Sequence, residues 1–231
     1  MFDSKLIKIS KKIFSAAFTI LVVFLIVYGA FNYQALKTRF LYWWTGRYGD
    51  EQQISSADWE PLSARDIIPG DTSEDNKLQD IPDQIIAPKI KVKAPIIFSD
   101  TYEEALNQKY LKKGVIIEKD STGFGKKGNT LVSGHSSSRN IFRKGKYDTV
   151  FTLLDKLENG DYIVIYKDQR KFTYIVRYKK TVSRHDLKTV WQADFDYTLT
   201  LITCWPVGTD LKRLIVKAEY VEPETGSSVD Y

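Results

Sequence analysis

Cysteine is almost absent from this chain, whose 231 residues include only Cys204. A disulfide within the chain is therefore excluded. In an oxidising compartment most thiols pair, so a lone cysteine there is bonded to another molecule, buried and inert, or kept free because it reacts. Histidine is nearly as scarce, and only His135 and His185 could supply an imidazole partner for such a thiol.

Other features that define common classes of protein are also missing. The chain has no internal repeat, which excludes a repeat architecture. Its 34 Lys and Arg residues are interspersed with 29 Asp and Glu residues, for a net charge of +5, and no recognition motif indicates nucleic-acid binding. With 43% apolar and 13% aromatic residues, the chain can form one domain of ordinary size with its own core.

The longest apolar run predicts a transmembrane helix over residues 13–33, because about 20 apolar residues suffice to span a bilayer. Lysines precede this run, so residues 1–12 are expected to stay in the cytoplasm and the rest of the chain to lie outside it. A cleaved signal peptide is the alternative, but no small-residue cleavage site follows. Aromatic residues suited to the membrane interface follow instead, at 40–44. The sequence therefore predicts a single-pass protein of the plasma membrane.

The remaining chain divides by composition into three parts. Residues 34–83 are expected to be a juxtamembrane segment and linker, since 46–82 are polar, rich in turn residues and without a sustained period. Residues 84–222 contain short β-like runs between turn signals and form the predicted domain. Residues 223–231 are a polar tail.

The pattern within this domain predicts a mostly β fold, a closed or nearly closed barrel of seven or eight strands with short helices. Short helices are expected at 101–110 and 151–157. Pro88 and Pro95 place the first two strands at an edge or a bend. The expected strands are 85–90, 92–98, 115–118, 130–133, 162–166, 171–181, 198–203 and 214–221.

Cys204 and Arg213 flank a short connection between the last two predicted strands. The loop of residues 205–212 is short enough for these strands to pair as a hairpin, which would bring the thiol and the guanidinium together at its mouth. A fixed cation favours a thiolate and offers N–H donors to an oxyanion. The same spacing fits a buried, inert cysteine beside a strand-end arginine, so the residues alone leave both interpretations open.

A cysteine nucleophile needs an imidazole partner, and His135 is better placed for this role than His185. His135 follows Gly134 at the end of a predicted buried strand and begins a polar loop, where catalytic groups collect. His185 lies in a polar stretch and is expected to be a solvated loop residue.

Three motifs in this order resemble those of the sortases, the membrane-anchored cysteine transpeptidases. Residues 200–204 (Thr-Leu-Ile-Thr-Cys) match the TLxTC signature of that family, and 128–135 resemble the stretch before its catalytic histidine. Arg213 and the apolar residues after it resemble the arginine that opens the family's last strand. The resemblance covers about 84–221 and implies an eight-stranded sortase-type β-barrel preceded by a transmembrane helix.

The resemblance also implies a role for each matching residue. Cys204 is the expected nucleophile, His135 the general acid and base, and Arg213 the residue that orients the substrate and stabilises oxyanions. Thr203 and Trp205 are the expected substrate-binding residues.

Details of the match favour class C, D or E sortases over class A. The arginine follows the cysteine by nine positions, and the cysteine begins the run Cys204-Trp205-Pro206. Class C members often carry an Asp-Pro-aromatic lid before the barrel. Asp58-Trp59 matches this motif only in part, and the match is expected to be coincidental. Glu222–Gly226 resembles the LPxTG sorting signal that sortases cleave, but glutamate replaces leucine and no apolar segment follows.

The implied activity is cleavage of an LPxTG-like signal in surface proteins through a cysteine thioacyl-enzyme. The new carboxyl end would be joined to an amine acceptor, a cell-wall peptide or a pilin lysine. This chemistry requires no metal or organic cofactor, although some sortases bind calcium and the sequence leaves calcium binding open. Two alternatives remain: a cysteine hydrolase that uses the same residues, and a non-catalytic membrane-tethered β-domain with an inert cysteine.

Overall fold

The computed structural model describes residues 4–48, 82–138 and 145–221, with side chains from residue 11 to residue 45 in the first range. Most of the predicted linker, the dipeptide Asp58-Trp59 and the segment Glu222–Gly226 lie outside the described residues.

The amino-terminal part of the chain is one long helix, α1, Ser4–Tyr48. Its stretch Lys11–Thr45 is long and apolar enough to cross a membrane, by length and composition. The helix continues well beyond residue 33, where the anchor was predicted to end, because neither glycine nor proline occurs between Gly29 and Gly46. Its later turns pack against the rest of the protein, and Arg39 forms a two-pronged ion pair with Asp155 at 2.7 and 2.9 Å.

The other described residues form a closed barrel of eight strands in the order β1-β2-β3-β4-β7-β8-β6-β5. The predicted mostly β fold, a closed barrel with short helices, is confirmed. Two short helices accompany it, α2 (Glu104–Leu111) and α3 (Leu187–Trp191). The strands are β1 Gln84–Ala87, β2 Val92–Phe98, β3 Val115–Ile117, β4 Gly128–Ser133, β5 Tyr162–Lys167, β6 Arg170–Ser183, β7 Tyr197–Trp205 and β8 Lys212–Val221.

The two prolines of the first strands behave differently. Pro88 ends β1 and begins a 3-10 turn, Pro88–Ile90, so the bend expected there is present. Pro95 lies inside β2, which has neighbours on both sides rather than an open edge. The N–H of Ile96 donates to the carbonyl of Asp83, on the β1 side of β2, so the backbone N of Pro95 points to the β3 side. β3 begins opposite Ile96 and has no residue paired with Pro95. The missing N–H of Pro95 therefore breaks no ladder hydrogen bond.

Strand direction determines which residues share a rim of the barrel. β4 and β7 are parallel neighbours, with Ser133 opposite Ile202, so the chain leaves both strands at the same rim. β8 is antiparallel to β7 and therefore starts at that rim. Side chains that alternate inward along these strands fill the barrel, which fixes their register. The buried interior includes Ile85, Val132, Ile163, Tyr174, Leu199, Leu201, Val216 and Ala218.

An unexpected polar residue secures the outside of β8. Lys217 is completely buried, and its ammonium donates to the backbone carbonyls of Val190 at 3.1 Å and Gln192 at 2.6 Å. Burial lowers the pKa of Lys217, and the nearby Asp194 carboxylate, 3.8 Å away, opposes that shift. These bonds satisfy the buried charge and attach the end of α3 to the barrel.

Candidate active site

Cys204 and Arg213 lie directly opposite each other near the loop end of the β7–β8 hairpin. The strands extend to Trp205 and from Lys212, so the connection is shorter than predicted, but the expected juxtaposition is present. Cys204 is partly accessible to solvent, and it forms no disulfide. A thiol in this position can meet a substrate without rearrangement of the barrel.

His135 reaches the same rim through the end of β4. Gly134 extends the β4–β7 ladder by one hydrogen bond to Ile202. A side chain at Gly134 would collide with the ring of Phe151, since a Cβ there would lie 2.4 Å from it. Phe151 in turn donates its N–H to the carbonyl of His135 at 2.8 Å. The backbone of His135 is therefore fixed by tight packing rather than left in a free loop.

The two expected substrate-binding residues differ in their placement. Thr203 is buried, and its hydroxyl donates to the Gly134 carbonyl at 2.7 Å, so it connects β7 to the segment that carries His135. It also lines the cleft beside Cys204. Trp205 packs against the core with the guanidinium of Arg39 5.8 Å from its ring centre, and it lines neither of the clefts that reach the thiol.

Asp210 is a polar residue of the site that the sequence analysis missed. One of its carboxylate oxygens accepts from Nη1 of Arg213 at 2.6 Å and from Sγ of Cys204 at 3.4 Å. Its other oxygen lies 3.8 Å from Nη1 of Arg184. The thiol and the guanidinium thus converge on a single anionic oxygen. The only sequence signal was a carboxylate within the short loop between the two candidate residues.

Two clefts meet at Cys204 and His135. The first, called here the barrel cleft, has a volume of about 310 Å³, and its lining includes Arg213, Thr203, Ile202, Ser133 and Glu118. The second, called here the helix cleft, has a volume of about 580 Å³ and lies between α1 and the barrel. Its walls include Phe24, Tyr28 and Phe31 from α1 and Asp210 from the β7–β8 connection. The cysteine and the histidine can therefore be approached from two directions.

Helix α1 forms its wall through specific contacts with the β7–β8 connection. The hydroxyl of Tyr28 donates to the carbonyl of Val207 at 3.1 Å. Gly208 has φ +87 and lies so close to Asn32 that a Cβ would approach its side-chain oxygen to 2.2 Å. Glycine is required there both by its backbone conformation and by the close approach. The sequence pattern predicts a separate anchor, so this contact between α1 and the barrel is a new feature of the structure.

Within residues 11–45, 82–138 and 145–221, no group of three or more His, Cys, Asp and Glu side chains is arranged to hold a metal ion.

A closed eight-stranded barrel with these groups at one rim defines a class of enzyme, the cysteine transpeptidases of the sortase type. The Sortase domain family model matches residues 85–221, more than half of the chain, and the protein belongs to the sortase family. The family expected from the three motifs is thereby confirmed. No curated protein matches the sequence.

Solved structures resemble this chain over the barrel. Sortase C from Clostridium perfringens with the C-terminal cell wall sorting motif is 26% identical, with 61% of this chain and 70% of that chain covered and a TM-score of 0.50. Sortase C1 from Streptococcus agalactiae is 26% identical, with 62% and 68% covered and a TM-score of 0.51. A lid mutant of sortase A from Corynebacterium diphtheriae, 23% identical, shares the fold, with 64% and 73% covered and a TM-score of 0.52. The class C relatives are consistent with the expected class C, D or E.

Proposed function

We propose that this sortase cleaves an LPxTG-like sorting signal and joins the new carboxyl end to an amine at the cell surface. The observation that carries the proposal is the meeting of Cys204, His135 and Arg213 at one rim, beside a cleft large enough for a peptide segment. The proposal assigns the nucleophile to Cys204, proton transfer to His135 and stabilisation of the oxyanion to Arg213.

In the first half of the reaction, the thiol proton of Cys204 passes to His135, and the resulting thiolate attacks the carbonyl carbon of the threonine in the signal. A C–S bond forms, and the negative charge that develops on the carbonyl oxygen is met by N–H donors of Arg213. Collapse of this intermediate breaks the peptide C–N bond, and His135 gives its proton to the leaving amine. The products are a thioester on Cys204 and the released carboxyl-terminal segment.

In the second half, an acceptor amine attacks the thioester carbon and gives a proton to His135. A new C–N bond forms, the C–S bond breaks, and the thiolate of Cys204 is regenerated. Arg213 again faces the oxyanion. The proton taken up by His135 passes back to Cys204, so the enzyme returns to its starting state.

Asp210 supports this assignment of Arg213. Its carboxylate oxygen accepts from both the guanidinium and the thiol, so the donors are already directed at one anionic oxygen. An oxyanion formed at the carbon bonded to Cys204 would meet the same guanidinium. In this mechanism Asp210 orients the guanidinium of Arg213 before substrate binds. When the oxyanion forms, the guanidinium donates to it, either in addition to Asp210 or in place of it.

The signal is assigned to the barrel cleft, because Arg213 lines this cleft and is absent from the lining of the helix cleft. The acceptor amine then reaches the thioester of Cys204 beside His135, which lines the same cleft.

The full-length protein in detergent, given an LPxTG peptide with and without a peptide amine, tests the proposed function. Ligated product, identified by its mass, is the expected result. Hydrolysis that is unaffected by the amine would support the cysteine hydrolase. An uncleaved peptide together with slow alkylation of Cys204 at neutral pH would support the non-catalytic domain.

Replacing Arg213 by lysine distinguishes directed hydrogen bonds from charge alone. Lysine keeps the positive charge but lacks the planar fork of donors. We expect Arg213→Lys to lower transpeptidation by about 10²–10³-fold, the usual cost of losing an oxyanion donor. Alkylation of Cys204 by iodoacetamide serves as the control and should fall much less. Equal loss of both rates would mean that Arg213 acts on the thiol and not on the transition state.

The proposed localisation is the plasma membrane, with a cytoplasmic amino terminus and the barrel outside. Helix α1 supplies a candidate span, and the lysines before its apolar run favour this orientation. Trypsin added to intact cells should therefore cut the polar segment 49–81, which contains Arg65 and Lys77, and release the barrel. A cytoplasmic protein that stays intact is the control. Cleavage only after cell lysis would contradict the orientation.

A further inference from the structure

The barrel cleft contains a carboxylate that the proposed mechanism does not use. Glu118 follows β3, and its backbone N–H bonds to the Leu131 carbonyl of β4 at 2.9 Å. Its side chain reaches back along the sheet to accept a hydrogen bond from the hydroxyl of Ser133. Glu118 and Ser133 line the cleft together with Cys204. The carboxylate is therefore part of the wall that faces the reacting thiol.

No cation among the described residues pairs with Glu118 within 4.0 Å. The adjacent lysine, Lys119, lies over the ring of Tyr102 instead, 4.4 Å from its centre. Burial raises the pKa of Glu118, and the negative charge of Glu104 adds to this rise, while the Ser133 hydrogen bond opposes it. A cation that enters the cleft would stabilise the ionised form of this half-buried carboxylate.

The position of Glu118 relative to the thiol identifies which part of a bound signal it would meet. Ser133 lies opposite Ile202, one strand away and two residues before Cys204. Strand spacing of about 4.8 Å and a rise of about 3.3 Å per residue put Ser133 roughly 8 Å from Cys204. An extended peptide covers that distance in two or three residues, so the carboxylate lies within reach of the residues next to the scissile threonine.

We propose that Glu118 is a specificity-determining residue that binds a basic side chain at the variable residue x, directly before the scissile threonine of the LPxTG-like signal. The inference rests on the proposed cleavage of a sorting signal and deepens it, because it names a charge that the preferred signal carries. The ammonium or guanidinium of that residue would donate to the carboxylate oxygen that Ser133 leaves available. Recognition is by charge, so lysine and arginine in the signal are both accepted.

The test compares peptides that differ only in one charged residue. The full-length protein in detergent is given LPxTG peptides with lysine, glutamate or glutamine at the variable position x. The lysine peptide should have a kcat/KM roughly tenfold or more above that of the glutamate peptide, as for a hydrogen bond between charged groups. The difference should lie mainly in KM and weaken as salt is added.

Variants of the protein assign the preference to Glu118. Glu118→Gln keeps an acceptor for Ser133 and should lose the preference for lysine, and Glu118→Lys should reverse it. Glu103→Gln is the matched control, because Glu103 is exposed, lies outside the cleft lining and makes no side-chain cap bond. If Glu118→Lys does not fold, the glutamine variant still decides the outcome.

The outcomes separate this inference from the proposed function. Cleavage of all peptides with equal efficiency, or a lysine preference that survives in Glu118→Gln, would overturn the role of Glu118 and leave the transpeptidase intact. Failure to cleave any peptide would overturn the proposed function and this inference with it.

Discussion

Cys204→Ala is expected to abolish cleavage of LPxTG-like peptides, with a fall in rate of about 10⁴-fold or more. The sulfur forms the bond that holds the acyl group between the two halves of the reaction, and no other cysteine exists to replace it. Cleavage is measured by the release of the carboxyl-terminal fragment. A thioester of the expected mass on the wild-type protein, absent from the variant, would identify the attachment site.

The same substitution should leave the fold nearly unchanged. Cys204 lies near the loop end of a hairpin and is partly exposed, so its loss leaves no large cavity in the core. We expect the free energy of unfolding to change by about 1 kcal/mol or less, as measured by thermal unfolding in detergent. Substantial turnover in a folded Cys204→Ala protein would contradict the mechanism.

His135→Ala is expected to lower cleavage by about 10²–10⁴-fold, the usual contribution of general acid–base catalysis. His135 lines both clefts beside Cys204, so it can serve the leaving amine in one half of the reaction and the acceptor in the other. Both cleavage and aminolysis of the thioester should therefore be slowed. Single-turnover measurements of the two halves separate these effects.

The second histidine provides the matched control. His185 is exposed on the connection between β6 and α3, where its Nε2 accepts from Nε of Arg184 at 3.0 Å. It lines neither cleft that reaches the thiol. His185→Ala should accordingly change cleavage less than about twofold, within the range of ordinary surface substitutions. Loss of activity in this variant and retention in His135→Ala would reverse the assignment.

The hairpin that carries Cys204 and Arg213 was predictable because the residues that determine it are close together in the sequence. The two strands are adjacent in sequence, and a short connection containing Pro206 and Gly208 leaves antiparallel pairing as the simple arrangement. The register then follows, because a slip by one residue would turn the alternating apolar residues of β7 out of the core. The alternation of short strands and turns also predicted the class of fold, because each strand and turn is recognised from neighbouring residues.

The sequence by itself determined the strands, the hairpin and the apolar anchor, while the tertiary structure decided what surrounds the thiol. The parallel pairing of β4 with β7 brings His135 to Cys204 across distant parts of the chain. Closure of the barrel likewise places Glu118 in the cleft, and α1 packs on the β7–β8 connection. Patterns of hydrophobicity report which face of a strand is buried, but not which distant strand lies beside it.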